Sequence, residues 1–193
     1  MAGKNFYIML ASPPWAGPTS RVISGPDIQV NDGLLLRGVQ QGYSIVLSVD
    51  EKAKDASDFP PCDIHGPSRS LLFSQRFIEL LEELGVDNVQ YFDAEVVYAP
   101  TGQKLPYKVA NIVGIVSGLD LDRSDVVMSN RGNVLQIREM RLSEDKLQGH
   151  GICRLREDLM LIVVHRRIKE AIEAAALSGF MFITDDEYEP GMI

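Results

Sequence analysis

Residues 71–96, LLFSQRFIELLEELGVDNVQYFDAEV, leave little room for interpretation. Leu71, Leu72 and Phe73 form a short apolar run and Ser74 is a good helix N-cap. Phe77, Ile78, Leu81 and Leu84 then recur at helical spacing before Gly85. This is an amphipathic helix with both ends marked, entered from a strand and left through a glycine. The phrase returns in fainter form as LIVVHRRIKEAIEAAALSGFMFITDDEYE. With Arg76 laid on Arg167, Phe77 falls on Ile168, Leu81 on Ile172 and Glu82 on Glu173. Gly85 then stands opposite Ala176, and the second helix reads on to Gly179. The expected fold is α+β: a mixed, largely antiparallel sheet with two main packed helices, at about 74–84 and 166–178.

The remainder reads as strands and turns. In residues 1–60, Pro13-Pro14, Pro18, Gly25-Pro26, Asp32-Gly33 and Pro60-Pro61 separate apolar runs at 7–10, 34–36 and 44–49, giving a loop- and strand-rich N-terminal section. Residues 50–58, DEKAKDASD, read as an exposed loop too short to link domains. The segments 107–116 and 134–142 are strand-like, with turns at Thr101-Gly102 and Arg131-Gly132-Asn133. With 193 residues, the whole of 1–193 is read as one globular unit with a sizeable core.

Charge narrows the function classes. The chain has 19 Lys and Arg against 27 Asp and Glu, a formal charge of -8. Binding a phosphate backbone needs clustered cations, so direct nucleic-acid binding is not expected and a basic protein partner fits better. No apolar run approaches the roughly 18 residues needed to cross a bilayer, and 1–15 lack a convincing secretion signal, so no membrane role is expected. Cys62 and Cys153 are the only cysteines, far apart and in no metal-ligand spacing, which suits two free thiols in a reducing cytoplasm.

Patterns that carry chemistry are missing. His65, His150 and His165 sit in no HxH, HExxH or CxxC…H arrangement, so no metal is expected. No phosphate-binding glycine motif appears, and no cofactor is expected. PCDIHGPS places His65 near Cys62, Asp63 and Ser68, a composition that reads as turn chemistry or as a Cys–His nucleophile pair. Asp120, Asp122 and Asp125 lie in GLDLDRSDV, which lacks the twelve-residue frame and closing Glu of a calcium loop, so Asp122 and Ser124 read as turn or cap residues.

What remains is a distribution of acids. Phe77 to Gln103 holds six, Glu79, Glu82, Glu83, Asp87, Asp93 and Glu95, and no Lys or Arg. Asp185, Asp186, Glu187 and Glu189 surround Tyr188 near the end of the sequence. A charge run is commonly a solvated face, and an acidic tail solvated chain; the functional alternative is that these acids meet a cationic partner. Tyr91, Phe92, Tyr98, Tyr188 and Trp15 are candidate aromatic anchors for such an interface or, equally, core residues. The one basic section, 130–156, reads as an internal salt-bridge network with the acidic helix or as a second binding face.

In order, LLFSQRFIELLEELGVDNVQYFDAEVV, YKVANIVGIVSGLDLDRSDV and CRLREDLMLIVVHRRIKEAIEAAALSGFMFI resemble bacterial polymorphic-toxin immunity proteins of the myxobacterial type. The likeness spans 63–183. It implies a non-catalytic cytoplasmic protein that binds and neutralises a cognate secreted toxin, with delivery of the type VI kind. Charge adds that the toxin is a basic nuclease, since an enzyme acting on nucleic acid needs a cationic cleft. The partner-binding residues expected on this reading are Glu79, Glu82, Glu83, Asp87, Tyr91, Asp93, Asp120, Asp122, Asp125, Asp185, Asp186, Glu187, Tyr188 and Glu189. The competing readings are an acidic regulator of a host factor and a small enzyme using the Cys62/His65 loop.

Overall fold

A computed structural model describes residues 4–11, 18–27, 30–39, 42–49, 60–66 and 71–192. The strands are β1 (Phe6–Ala11), β2 (Thr19–Ser24), β3 (Tyr43–Ser48), β4 (Ile64–His65), β5 (Leu71–Ser74), β6 (Val89–Tyr98), β7 (Gln103–Leu105), β8 (Tyr107–Ile112), β9 (Ile115–Val116), β10 (Asp125–Met128), β11 (Val134–Glu139), β12 (Ile152–Leu155), β13 (Ile162–His165) and β14 (Phe180–Ile183). The helices are α1 (Gln75–Glu83), α2 (Glu144–Leu147) and α3 (Arg166–Ala174), followed by a 3-10 turn over Asp185–Glu187. Strands dominate, so the fold is α+β only loosely and the helices are a minor part of it. Trp15, Pro13-Pro14, Ser68 and the 50–58 loop lie outside the described residues.

Two mixed sheets carry the chain. One runs β14-β1-β13-β12-β9, the other β2-β3-β6-β8-β5-β4 with β7 also on β6. The pairs β12–β9 and β3–β6 are parallel, and the rest are antiparallel. β7 and β8 are in effect one strand: Val96 faces Leu105 and Asp93 faces Lys108 in a single register. The break falls at Pro106, which has no N–H to give the ladder.

The faint sequence repeat is a structural repeat. β5 and α1 recur 91 residues later as β13 and α3 with the same bounds, and β6 and β14 begin at that same spacing. Each half places one antiparallel strand between the two strands that flank its helix. In the first half β8 pairs with β5 and β6, and in the second β1 pairs with β13 and β14. The registers correspond, with Ser74 opposite Tyr107 where His165 is opposite Phe6.

Both helices start and stop alike. Ser74 Oγ accepts the Phe77 N–H (3.2 Å), and His165 Nδ1 accepts the Arg167 N–H (3.2 Å). At the far end the N–H of Val86 reaches Leu81 O (2.9 Å) around Gly85, whose φ is +69°. Leu177 likewise reaches Ile172 O (3.1 Å) around Ala176, at φ +49°. The second helix therefore stops at Ala174 and does not run to 178. Gly179 serves a different need: a Cβ there would sit 2.5 Å from Cys62 Cβ and 2.9 Å from Ile64 O.

One apolar cluster draws on both sheets and both long helices. Met9 and Ala110, Ile64 and Ile152, Phe73 and Val164, Phe77 and Ile168, Leu81 and Ile172 occupy corresponding places in it, all buried. Burial of each large member contributes about 2 kcal/mol. A second cluster covers the other face of the five-stranded sheet, where Phe6, Ile8 and Val163 meet Ile137 of the separate β10–β11 hairpin. A third covers the other face of the second sheet, around Tyr43, Ile45, Leu72 and Val109.

Candidate functional site

The acidic helix has its predicted two faces. Phe77, Ile78 and Leu81 are buried, while Glu79, Glu82 and Glu83 point to solvent. Glu79 accepts a hydrogen bond from Gln75 (3.0 Å), but among the described residues no ion pair reaches Glu79, Glu82, Glu83 or the exposed Asp87. Glu82 and Glu83 stand in the last turn, which holds no cation, where the helix dipole disfavours negative charge. These acids oppose the stability of their own helix.

Beside them, Tyr91 is half-buried against the first apolar cluster, and its buried hydroxyl has no hydrogen-bond partner. Burial, reinforced by the charge of Glu82, pushes that hydroxyl's pKa up to about 12. Asp93 is nearly fully exposed and meets Lys108 at 3.3 Å, and Glu95 pairs with Lys104 at 2.7 Å. The Lys104 ammonium holds the Glu95 carboxyl below its usual pKa.

The other expected contact residues are dispersed. The Asp120 carbonyl closes a turn by accepting the N–H groups of Arg123 and Ser124; Asp122 is exposed in that turn, and Asp125 faces Arg138 at 3.9 Å. The C-terminal acids form a clasp. Asp185 is buried, taking the Lys4 ammonium (2.7 Å) and the Leu142 N–H (2.9 Å). Asp186 pairs with Lys4 (2.9 Å) and Arg141 (3.5 Å), and Glu187 accepts from the N–H and hydroxyl of Thr184. The Lys4 contact holds Asp186 below the usual carboxylate range, the Thr184 N–H does the same for Glu187, and the two aspartates raise Lys4. Tyr188 packs on the second cluster, and Glu189 remains exposed. Of the other aromatic candidates, Phe92 packs on the third cluster and Tyr98 belongs to it.

The basic section does not pair with the acidic helix. Among the described residues its ion pairs run from Arg138 to Asp125 and from Arg141 to Asp186. The reason is placement: the β10–β11 hairpin lies on the face of the five-stranded sheet away from α1 and α3.

Cys62, Asp63 and His65 are close together but not arranged as a nucleophile and base. His65 Nε2 accepts the backbone N–H of Cys62 (3.2 Å), and burial drops the imidazole pKa to about 4. Burial also raises the Cys62 thiol, so neither group favours the charged form that a thiolate–imidazolium pair requires. Asp63, which the sequence placed only in the Cys62/His65 cluster, is a structural hub. Its carboxylate accepts from Ser74 Oγ (2.6 Å) and the Ser178 N–H (2.9 Å), tying the start of α1 to the chain leaving α3. Two further side chains escaped the sequence reading. Asn88 donates to Val113 O and Ile152 O, bridging the halves, and Arg154 is fully buried with bonds to Leu159 O and Asn31 Oδ1. Among the described residues no three His, Cys, Asp or Glu side chains gather as a metal site.

The family model for the immunity protein family Imm11 matches residues 27–185. The chain belongs to that family. Comparison with curated proteins gives no match. The match to the Imm11 immunity family begins well before residue 63, so it takes in β3 and the approach to it, which the motif likeness had left aside. Membership implies a cognate toxin as partner, and the exposed acids of α1 then become candidates for the surface that meets it.

Proposed function

We propose that this Imm11 immunity protein neutralises a nuclease toxin in the cytoplasm by tight non-covalent binding. The contact is made through the acidic surface of α1 and the start of β6, and the toxin is one delivered between cells by type VI secretion. The observation that carries the reading is the set of unpaired acids at the C-terminal end of α1, held where the helix dipole opposes them. Charge of that kind steers a cationic cleft toward the site and selects the partner. A nanomolar complex corresponds to about -12 kcal/mol and a standard interface to about 1,600 Å2, so apolar and backbone contacts must complete it. Asp185 is left out of the interface because both its oxygens are engaged inside the fold.

The test is co-expression with the toxin domain encoded beside the gene, followed by calorimetry at several salt concentrations. Rescue of growth with an affinity that falls as salt rises is expected. Rescue with a salt-independent affinity would remove the electrostatic site, and failure of the two proteins to bind would remove the function.

A further inference from the structure

The repeat gives each half a strand edge whose hydrogen-bonding direction is fixed by the bonds around it. Asn88 O accepts the Val113 N–H, and Gln75 N–H reaches Pro106 O. Pairing in an antiparallel ladder alternates, so Gln90 and Phe92 bond toward β8 while Val89 and Tyr91 present their N–H and C=O to the outside. By the same counting from Arg166 N–H to Asn5 O, Phe180 and Phe182 face outward from β14. Among the described residues the outward groups of these four have no backbone partner. From Ala94 onward the same outer edge of β6 already carries the parallel strand β3, so this edge accepts an extended chain.

Charge separates the two edges. Val89 and Tyr91 lie between Glu82, Glu83 and Asp87, which no ion pair reaches among the described residues, and Asp93 and Glu95, which stay exposed beside Lys108 and Lys104. The β14 edge is flanked at one end by Lys4, Asp185 and Asp186, already paired with one another, and Lys169 lies over Phe182. We infer that the outer edge of β6 at Val89 and Tyr91 is the docking strand for the toxin, which adds an extended segment bearing Lys or Arg there. The backbone groups of that segment satisfy the outward N–H and C=O groups of Val89 and Tyr91, and its cations meet the acids that α1 and β6 leave unpaired or exposed. A second copy of this chain is the poorer occupant, since each copy carries -8.

This inference rests on the toxin-binding reading, and the measurement separates the two. Amide hydrogen exchange is read by NMR on the full chain, free and saturated with the inactivated toxin domain encoded beside the gene. The amides of Val89 and Tyr91 are expected to slow by at least about a hundredfold in the complex while those of Phe180 and Phe182 stay unchanged. Val89→Pro removes one outward N–H at the first residue of a strand, where proline is tolerated; it should weaken binding roughly tenfold with little change in melting temperature. A saturated complex with fast exchange at Val89 and Tyr91, or protection at Phe180 and Phe182 in their place, overturns the assignment. Protection of Val89 and Tyr91 that grows with concentration of the chain alone would assign the edge to a second copy and also overturn it. Absence of any complex in the calorimetry speaks to the functional reading itself.

Discussion

Replacing Glu82 and Glu83 together by lysine should strengthen the fold and weaken binding, two effects of opposite sign from one cause. Both residues are exposed in the last turn of α1, with no cation near them in that turn. Converting an acid to a base there turns an unfavourable dipole interaction into a favourable one, worth about 0.3–0.5 kcal/mol per residue for exposed groups. The lysine at 83 also lies four residues after Glu79, in the orientation that adds about 0.3 kcal/mol. The sum is about 1 kcal/mol of added stability at low salt, or a rise in melting temperature of about 2–4 °C for a chain of this size. Urea denaturation at low and high salt reads the stabilisation, which should shrink as salt screens it. Stopped-flow association with the toxin domain reads the other half: the rate should fall by about tenfold or more and lose most of its salt dependence. A variant that is less stable than the parent refutes the dipole argument, because among the described residues no hydrogen bond or ion pair holds these carboxylates. A variant that is more stable and associates at the parent rate refutes their part in steering.

Asp63→Ala removes three hydrogen bonds to a buried carboxylate, and its contact with Arg76, and should cost about 3 kcal/mol in urea denaturation; a loss under about 1 kcal/mol would show that Ser74 and Ser178 do not depend on it. Ala176→Gly relieves the left-handed backbone after α3 and should stabilise by about 1 kcal/mol, whereas Gly85→Ala at the matching place should destabilise by a similar amount; equal signs in the two melts would dissolve the equivalence of the caps. His65 has its pKa lowered from 6.5 to about 4 in the folded chain, so the unfolded chain binds the extra proton between those values. Stability from this group is therefore complete above pH 6.5 and lost as pH falls toward 4, by about 3 kcal/mol, and His65→Gln should flatten that part of the stability–pH curve relative to the parent.

The helices and their caps were legible because they rest on local chemistry. Ser74, the apolar spacing and Gly85 each act within a few residues, and α1 forms where they point. The second helix was read too long because Gly179 looked like its stop, while the chain closes it with Ala176 in a conformation glycine would take more cheaply. The repeat was faint in sequence because each half keeps shape and burial while changing residues: Phe77 answers to Ile168, and Ser74 to His165. Its inner strands were read as strands, at 7–10 and 107–116, but not as equivalents, since β8 follows directly after β6 and β7 whereas β1 lies at the other end of the sequence from β14. The acids of α1 read correctly as exposed, but those of the C-terminal segment did not read as a clasp. Nothing near Asp185 in the sequence announces Lys4 or the Leu142 N–H.

The separation of β1 from its neighbours bears on how the molecule is made. β4, β5, α1, β6 and β8 lie close together in the chain, so the first half can complete its pairing as it leaves the ribosome. β1 is synthesised before all of them and finds both of its partners, β13 and β14, only after residue 162 has emerged. Until then its run of Ile8, Met9 and Leu10 has two open edges, and the second half has a gap at its centre. Closing that gap joins distant parts of the chain, so it falls late in folding and is the step at which a nascent chain is most exposed to aggregation.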